Sequence, residues 1–223
     1  MFDSIAGRYD FLNHLLSLGI DRRWRRSAIR MAGKLVKPSS VLDVATGTAD
    51  FAIDALRLSP ARVTGLDISV RMLELGREKI RKMKMDEKIE LVRGDSLSLP
   101  FADDSFDLVM SAFGVRNFSD LFRGISEMTR VTARNGIVLI LEFSRPGNRF
   151  FRWLFEFYFF RILPGVGRLV SGHKSAYKYL PVSVESFPGR DEFAALLIRA
   201  GLSDVKYRDL SGGIAVIYTG VKR

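Results

Sequence analysis

The amino-acid sequence predicts an α/β protein built on a doubly wound, mainly parallel sheet. Three observations carry that expectation. Short apolar strands alternate with helical segments from Val41 to Glu142 across short loops, the pattern that gives parallel pairing through helical crossovers. Phe106-Asp-Leu-Val-Met-Ser-Ala112 and Gly136-Ile-Val-Leu-Ile-Leu-Glu142 are nearly continuous apolar runs, suited to strands covered on both faces. Two final strand-like segments, Ser203–Arg208 and Ile214–Lys222, are joined by a short turn, which predicts an antiparallel hairpin.

Taken in order, the segment Phe2–Leu18 places Ile5, Tyr9, Leu12, Leu15 and Leu16 at helical spacing. A basic helix follows from Asp21, read as its N-cap, to about Lys34, with Trp24, Ala28, Met31 and Leu35 as its apolar face. Pro38-Ser-Ser closes an N-terminal helical cap, residues 1–38. The core, residues 39–144, opens on the β-branched strand at Val41, then a turn of small residues and a helix near Asp50. Strands Arg62–Asp67 and Ile89–Arg93 flank a Ser69-capped helix to about Lys84, which buries Met72, Leu73, Leu75, Gly76 and Ile80. A further helix covers about Ser119–Thr132. Residues 145–188 break the pattern with a helical aromatic and basic insertion, and residues 189–223 resume with a helix from Asp191 to Ala200 and the hairpin. At 223 residues the whole forms a single domain.

Composition excludes several chemistries. The absence of cysteine removes disulfides, thiolate metal sites, iron–sulfur clusters and cysteine nucleophiles together. The two histidines, His14 and His173, lie far apart, so no metal site is expected. No signal peptide opens the chain and no run of eighteen apolar residues occurs, which predicts a cytoplasmic location. The net charge of +10 is concentrated: residues 1–40 carry eight Lys/Arg against three Asp/Glu, and residues 145–190 carry eight against two. Two basic flanks on a neutral core suit an anionic partner, and the inner face of a membrane is one such surface.

The chemistry-bearing stretch is Val41-Leu-Asp-Val-Ala-Thr-Gly-Thr-Ala-Asp50. A strand runs into a tight turn, and some twenty residues later Arg62-Val-Thr-Gly-Leu-Asp67 ends a second strand on an acid. That is the layout of a nucleoside-cofactor site, in which backbone approaches the ligand and the acid accepts hydrogen bonds from a ribose diol. The turn is not a dinucleotide fingerprint, because Gly47 is its only glycine. Asp43-x-Ala45-x-Gly47-x-Ala49 instead resembles the first motif of class I S-adenosylmethionine (SAM) methyltransferases, whose fold is Rossmann-like. Ligands of such sheets bind at the carboxyl ends of the strands. On that basis Thr46, Gly47 and Thr48 would wrap the methionine portion of SAM, Asp67 would hold the ribose, Asp95 and Ser96 would face the adenine, and Phe113–Asn117 would line the floor where the methyl group leaves.

Further motifs narrow the resemblance. Phe2-Asp-Ser-Ile-Ala-Gly-Arg-Tyr-Asp10, Leu99-Pro-Phe-x-Asp-x-Ser-Phe-Asp107, Phe113-Gly-Val-Arg-Asn117, Leu141-Glu-Phe-Ser-Arg-Pro146 and Leu210-x-Gly-Gly-Ile-Ala215 are similar to those of the UbiE/MenG family, the C-methyltransferases of ubiquinone and menaquinone biosynthesis. The resemblance implies SAM bound by Thr48, Asp67, Asp95 and Ser96, and a prenylated quinol as the methyl acceptor. It implies C-methylation beside a quinol oxygen, with Arg116 on the developing phenolate or on a proton-removing water, Asn117 on the same oxygen, and Tyr9 folded over the site. The alternative is a class I methyltransferase acting on RNA, protein or a soluble metabolite. Nucleic acid is not the expected partner, since Phe113-Gly-Val-Arg stands where N-methylating nucleic-acid enzymes carry Asp/Asn-Pro-Pro-Tyr.

Residues 149–161 have a separate character. Eight of the eleven residues Phe150–Phe160 are aromatic, with Arg149, Arg152 and Glu156 in one polar stripe. Such a helix is expected to meet a homodimer partner, the substrate tail or an anionic membrane surface, and it is too short to span a bilayer.

Overall fold

A computed structural model of the protein describes residues 19–147, 149 and 183–223. The helix expected over Phe2–Leu18, with Tyr9, and nearly all of the aromatic stretch 149–161 lie outside the described residues, as do most of residues 145–188.

The described chain runs α1 (Ile20–Leu35), β1 (Ser40–Val44), α2 (Asp50–Ala55), β2 (Arg62–Asp67), α3 (Val70–Lys82), β3 (Ile89–Arg93), β4 (Phe106–Ala112), α4 (Leu121–Val131), β5 (Thr132–Phe143), α5 (Arg190–Arg199), β6 (Leu202–Leu210) and β7 (Ala215–Lys222). The seven strands form one sheet in the order β3-β2-β1-β4-β5-β7-β6. The first five pair in parallel, whereas β7 is antiparallel to both β5 and β6. The strand order reverses between β1 and β4, and this opens a crevice at their carboxyl ends.

Alternating side chains of the central strands feed two cores. Val41, Leu108, Met110, Leu139 and Ile217 pack on one face with Trp24, Ala28 and Ala32 of α1, Phe51 and Ala52 of α2, and Leu73 and Ile80 of α3. Leu42, Val109, Val138, Ile140 and Tyr218 pack on the other face with Ile125 and Met128 of α4 and Phe193 and Leu197 of α5. The period of two along each strand is what divides them.

Local signals account for most boundaries. The Ser69 hydroxyl accepts from Met72 N–H at the start of α3, and the Asp120 carboxylate accepts from Arg123 N–H at the start of α4. Asp21 is not the cap of α1, contrary to expectation. Gly19, at φ 73°, takes that place, and Asp21 is a buried first-turn residue. The buried face of α1 is also rotated from the one expected: Ile29 and Ala32 are inside and Leu35 is 52% exposed. Arg25 explains the rotation, because the helix turns it inward against Asp21, Asp50 and Asp54. Beyond β5, Arg145 and Glu185 form an ion pair at 3.1 Å. Arg190 fastens that place to the hairpin by donating to Arg145 O at 3.0 Å, Gly213 O at 3.1 Å and Asp209 at 2.7 Å.

Candidate active site

The turn after β1 has an unusual backbone. Ala45 (φ 57°), Gly47 (φ 56°) and Ala49 (φ 69°) all adopt the left-handed region. Two of these three positions carry alanine rather than glycine. An alanine there costs about 1–2 kcal/mol. Several bonds hold the shape. Thr46 N–H donates to Leu66 O at 2.9 Å, and Gly47 N–H donates to the Asp67 carboxylate at 2.8 Å. The other Asp67 oxygen accepts from Ser69 N–H at 2.9 Å, so this single carboxylate ties the turn to the end of β2 and the entry of α3.

Asp43 lies beneath the turn, fully buried. Thr46 donates its hydroxyl to one Asp43 oxygen at 2.6 Å, while the other, Oδ1, has no hydrogen-bond partner. Burial, joined by the nearby Asp67 charge, outweighs the opposing pull of the Thr46 bond, the Ala52 N–H and the Arg25 charge and pushes the Asp43 carboxyl up to about 7. Thr48 is buried and accepts from Lys79 Nζ at 2.9 Å, and Lys79 also reaches Asp50 at 2.7 Å.

A cleft of about 280 Å³ opens over this turn. Asp43, Thr46, Gly47, Thr48, Asp67, Asp95, Ser96 and Asn117, eight of the residues singled out in the sequence, all line it. Ile68, Met72 and Leu97 line it beside Asp95 and Ser96, past the ends of β2 and β3. Phe113 and Phe118, past β4, and Phe143, the last residue of β5, give it an aromatic wall. Sequence reasoning missed Asp21, Arg25 and Asp50, which also line it. Their signal was faint: an i,i+4 Asp–Arg pair inside a run of arginines, with the partner acids some thirty residues away.

Arg116 is placed differently from the expectation. It does not line the cleft; its guanidinium donates to Glu142 at 2.8 Å and to Phe113 O, and it lies 5.3 Å from the centre of the Phe143 ring. Glu142 is fully buried and also accepts from Arg116 N–H at 3.2 Å. Asn117 directs its amide towards Phe113 O at 3.5 Å from within the cleft wall. Among the described residues no group of acids and histidines could hold a metal ion.

This sheet order, with an antiparallel β7 between β5 and β6 and acids closing β2 and following β3, is the architecture of class I SAM-dependent methyltransferases. The site fits that cofactor. It offers apolar side chains beside Asp95 and Ser96, an acid closing β2 and a buried carboxylate oxygen without a hydrogen-bond partner, in a cleft whose charged lining is five aspartates and one arginine. Solved structures agree on the fold. A SAM-dependent methyltransferase from Thermotoga maritima superposes with a TM-score of 0.66 at 20% identity, covering 100% of this chain and 98% of its own. The cyclase SpnF superposes at 0.68 and 18% identity, covering 92% and 82%, so the fold by itself does not fix the reaction.

The sequence narrows the class. The model of the ubiE/COQ5 methyltransferase family matches residues 1–222, and the chain belongs to that family. Relatives include the ubiquinone/menaquinone biosynthesis C-methyltransferase UbiE of Geotalea uraniireducens, 46% identical over the whole of this chain and 94% of the relative. The demethylmenaquinone methyltransferase of Bacteroides fragilis is 46% identical over the whole chain and 91% of its length.

Proposed function

We propose that the protein transfers a methyl group from SAM to a ring carbon of a prenylated quinol of the demethylmenaquinol type, a step of quinone biosynthesis. Full-length kinship at 46% identity with C-methyltransferases of that pathway carries the reading. The cleft agrees with it, since an acidic, hydrogen-bonding half adjoins an aromatic half suited to an apolar acceptor.

SAM supplies an electrophilic methyl group on a sulfonium cation. The protein's contribution is orientation and charge placement. Thr46, Gly47 and Thr48 form the turn against the methionine portion, with Asp43 beneath it. Asp67 offers its carboxylate to the ribose while its bonds to Gly47 and Ser69 keep it in place. Asp95 and Ser96 border the adenine slot. Asn117, in the cleft wall, is our candidate to bond the quinol oxygen beside the reacting carbon, and Tyr9 is the candidate from the N-terminal segment. Arg116 is read as a positioning residue. Its bonds to Glu142 and Phe113 O support a role in fixing the loop that carries Phe113 and Asn117.

A peripheral contact with an anionic membrane face, on the cytoplasmic side, belongs to the same proposal. Arg22, Arg23, Arg26 and Arg30 are all exposed on α1, and such a stripe attracts acidic headgroups. No described helix is long and apolar enough to cross a membrane. The direct test is anaerobic incubation of purified protein with labelled SAM and demethylmenaquinol. A ring-methylated quinol should appear in proportion to the S-adenosylhomocysteine released, and turnover confined to RNA or a soluble metabolite would refute the proposal.

A further inference from the structure

Phe113 has a bulky side chain on left-handed backbone, at φ 58°. Such a conformation is costly for a non-glycine residue and persists only where its surroundings over-determine it. Here they do: Phe113 N–H donates to Leu141 O at 2.8 Å, and Phe113 O accepts from both Arg116 and Asn117. The result is a ring presented to the cleft beside Phe143, with centroids 4.5 Å apart and planes at 35°. Trp24 backs the pair edge-on to Phe143 at 6.0 Å and lies 6.2 Å from Phe113. Trp24 is itself nearly enclosed, and its indole N–H donates to Ser211 Oγ at 2.9 Å.

Three separated parts of the chain thus converge on one aromatic surface: α1, the loop after β4 and the end of β5. Trp24, 6% exposed, belongs to the core, whereas Phe113 and Phe143 pack against that core and also line the cleft, Phe113 on strained backbone. Phe118 and Ala112 extend the apolar wall, and Asn117 sets one amide beside it. Aromatic faces next to an amide match a planar aromatic ring bearing an oxygen, better than they match a flexible isoprenoid chain.

We propose that Phe113 and Phe143 form a stacking platform for the aromatic ring of the methyl acceptor, with Trp24 and Arg116 as the positioning residues behind it. The inference rests on the quinol reading above and adds the place where the ring lies and the residues that hold it.

Trp24 provides a readout independent of turnover. In a Trp153→Phe background it is the only tryptophan, and a ring bound against Phe143 should quench its fluorescence. The probe is demethylmenaquinol with one prenyl unit, titrated anaerobically in the presence of S-adenosylhomocysteine. Phe143→Leu keeps apolar volume and removes the π face; it should weaken quinol binding roughly three- to ten-fold, the size of an aromatic pairing term. Phe143→Tyr should restore most of the affinity. SAM affinity, measured by calorimetry on the same samples, should stay within two-fold of the parent at about that level of precision, which also confirms that each variant is folded. Unchanged quinol affinity in both Phe143→Leu and Phe113→Leu, in a protein that still methylates the quinol, would overturn the platform and leave the proposed function standing. A parent protein that neither binds nor methylates the quinol would overturn both.

Discussion

Glu142, fully buried at the end of β5, holds the Arg116 guanidinium at 2.8 Å and also accepts from the Arg116 backbone N–H at 3.2 Å. One carboxylate thereby fixes both ends of a residue in the loop that forms a wall of the cleft. Arg116 Nε, also buried, has no hydrogen-bond partner, so the cation depends on Glu142 for its compensation. Breaking a buried pair by removing one member costs about 3–5 kcal/mol, because the survivor is left uncompensated. Glu142→Gln should therefore lower stability by about that amount, seen as a lower urea midpoint. Adding Arg116→Met should recover part of the loss. If the double variant is as unstable as the sum of the singles, the two residues are not energetically paired.

Asp67 ties the turn after β1 to the end of β2. Asp67→Ala removes the acceptor for Gly47 N–H along with the carboxylate proposed to hold the ribose. Charge-assisted hydrogen bonds are worth about 1.5–3 kcal/mol, so SAM affinity measured calorimetrically should fall roughly ten- to a hundred-fold. Unaltered affinity in a folded variant would move the ribose elsewhere.

Asp43 makes stability depend on pH. Burial is the largest cause of its raised carboxyl, pushed up to about 7 from 3.8. A folded-state value above the unfolded one means that the native protein binds this proton more tightly. The associated stability is complete below about pH 4 and is lost as pH rises towards 7. Relative to Asp43→Asn, the parent protein should lose stability, by at most on the order of 4 kcal/mol, across that window. Denaturant titrations of both proteins from pH 4 to pH 8 would measure it. Parallel curves would show that Asp43 titrates at its ordinary value.

Ala45 carries strain that glycine would not. It is only partly buried, and its φ of 57° is one that glycine adopts freely. Relief of about 1–2 kcal/mol of left-handed strain, less the extra unfolded-state entropy of glycine, leaves a net gain of up to about 1 kcal/mol for Ala45→Gly. Thermal unfolding should shift upward by a few degrees. A downward shift would mean that the contact of the Ala45 methyl with Gly114 outweighs the strain.

The sheet was largely legible in the sequence because its signals are local. The bounds of Arg62–Asp67, Ile89–Arg93 and Phe106–Ala112 follow from β-branched or apolar runs ended by polar turns, and the structure places those strands there. That Asp67 and Asp95 face the cleft was legible for the same reason, as residues at or just beyond strand ends. What escaped was whatever depends on which distant side chain arrives next to which. Asp21 has the chemistry of an N-cap, but Gly19 takes that position, and Asp21 instead serves Arg25. Arg25 in turn belongs to Asp50 and Asp54, residues it meets only once α1 is laid across α2. Arg116 could be placed on the right loop from its motif, yet its direction is set by Glu142, twenty-six residues later on the neighbouring strand.

Arg145 and Glu185 meet at 3.1 Å, although 39 residues of chain lie between them. Both side chains are more than half exposed, so the pair adds little stability and matters as a marker of geometry. Its consequence is modularity. The residues that pair β5 with β7 lie outside the stretch between Arg145 and Glu185, so a change of length between these two leaves that register untouched. The thermodynamic penalty is also slight, since doubling a loop's length costs only about 0.6 kcal/mol in closure entropy. The turn after β1 and the stretch between Arg145 and Glu185 can therefore evolve at different rates. The parallel half of the sheet is insulated from changes of length there.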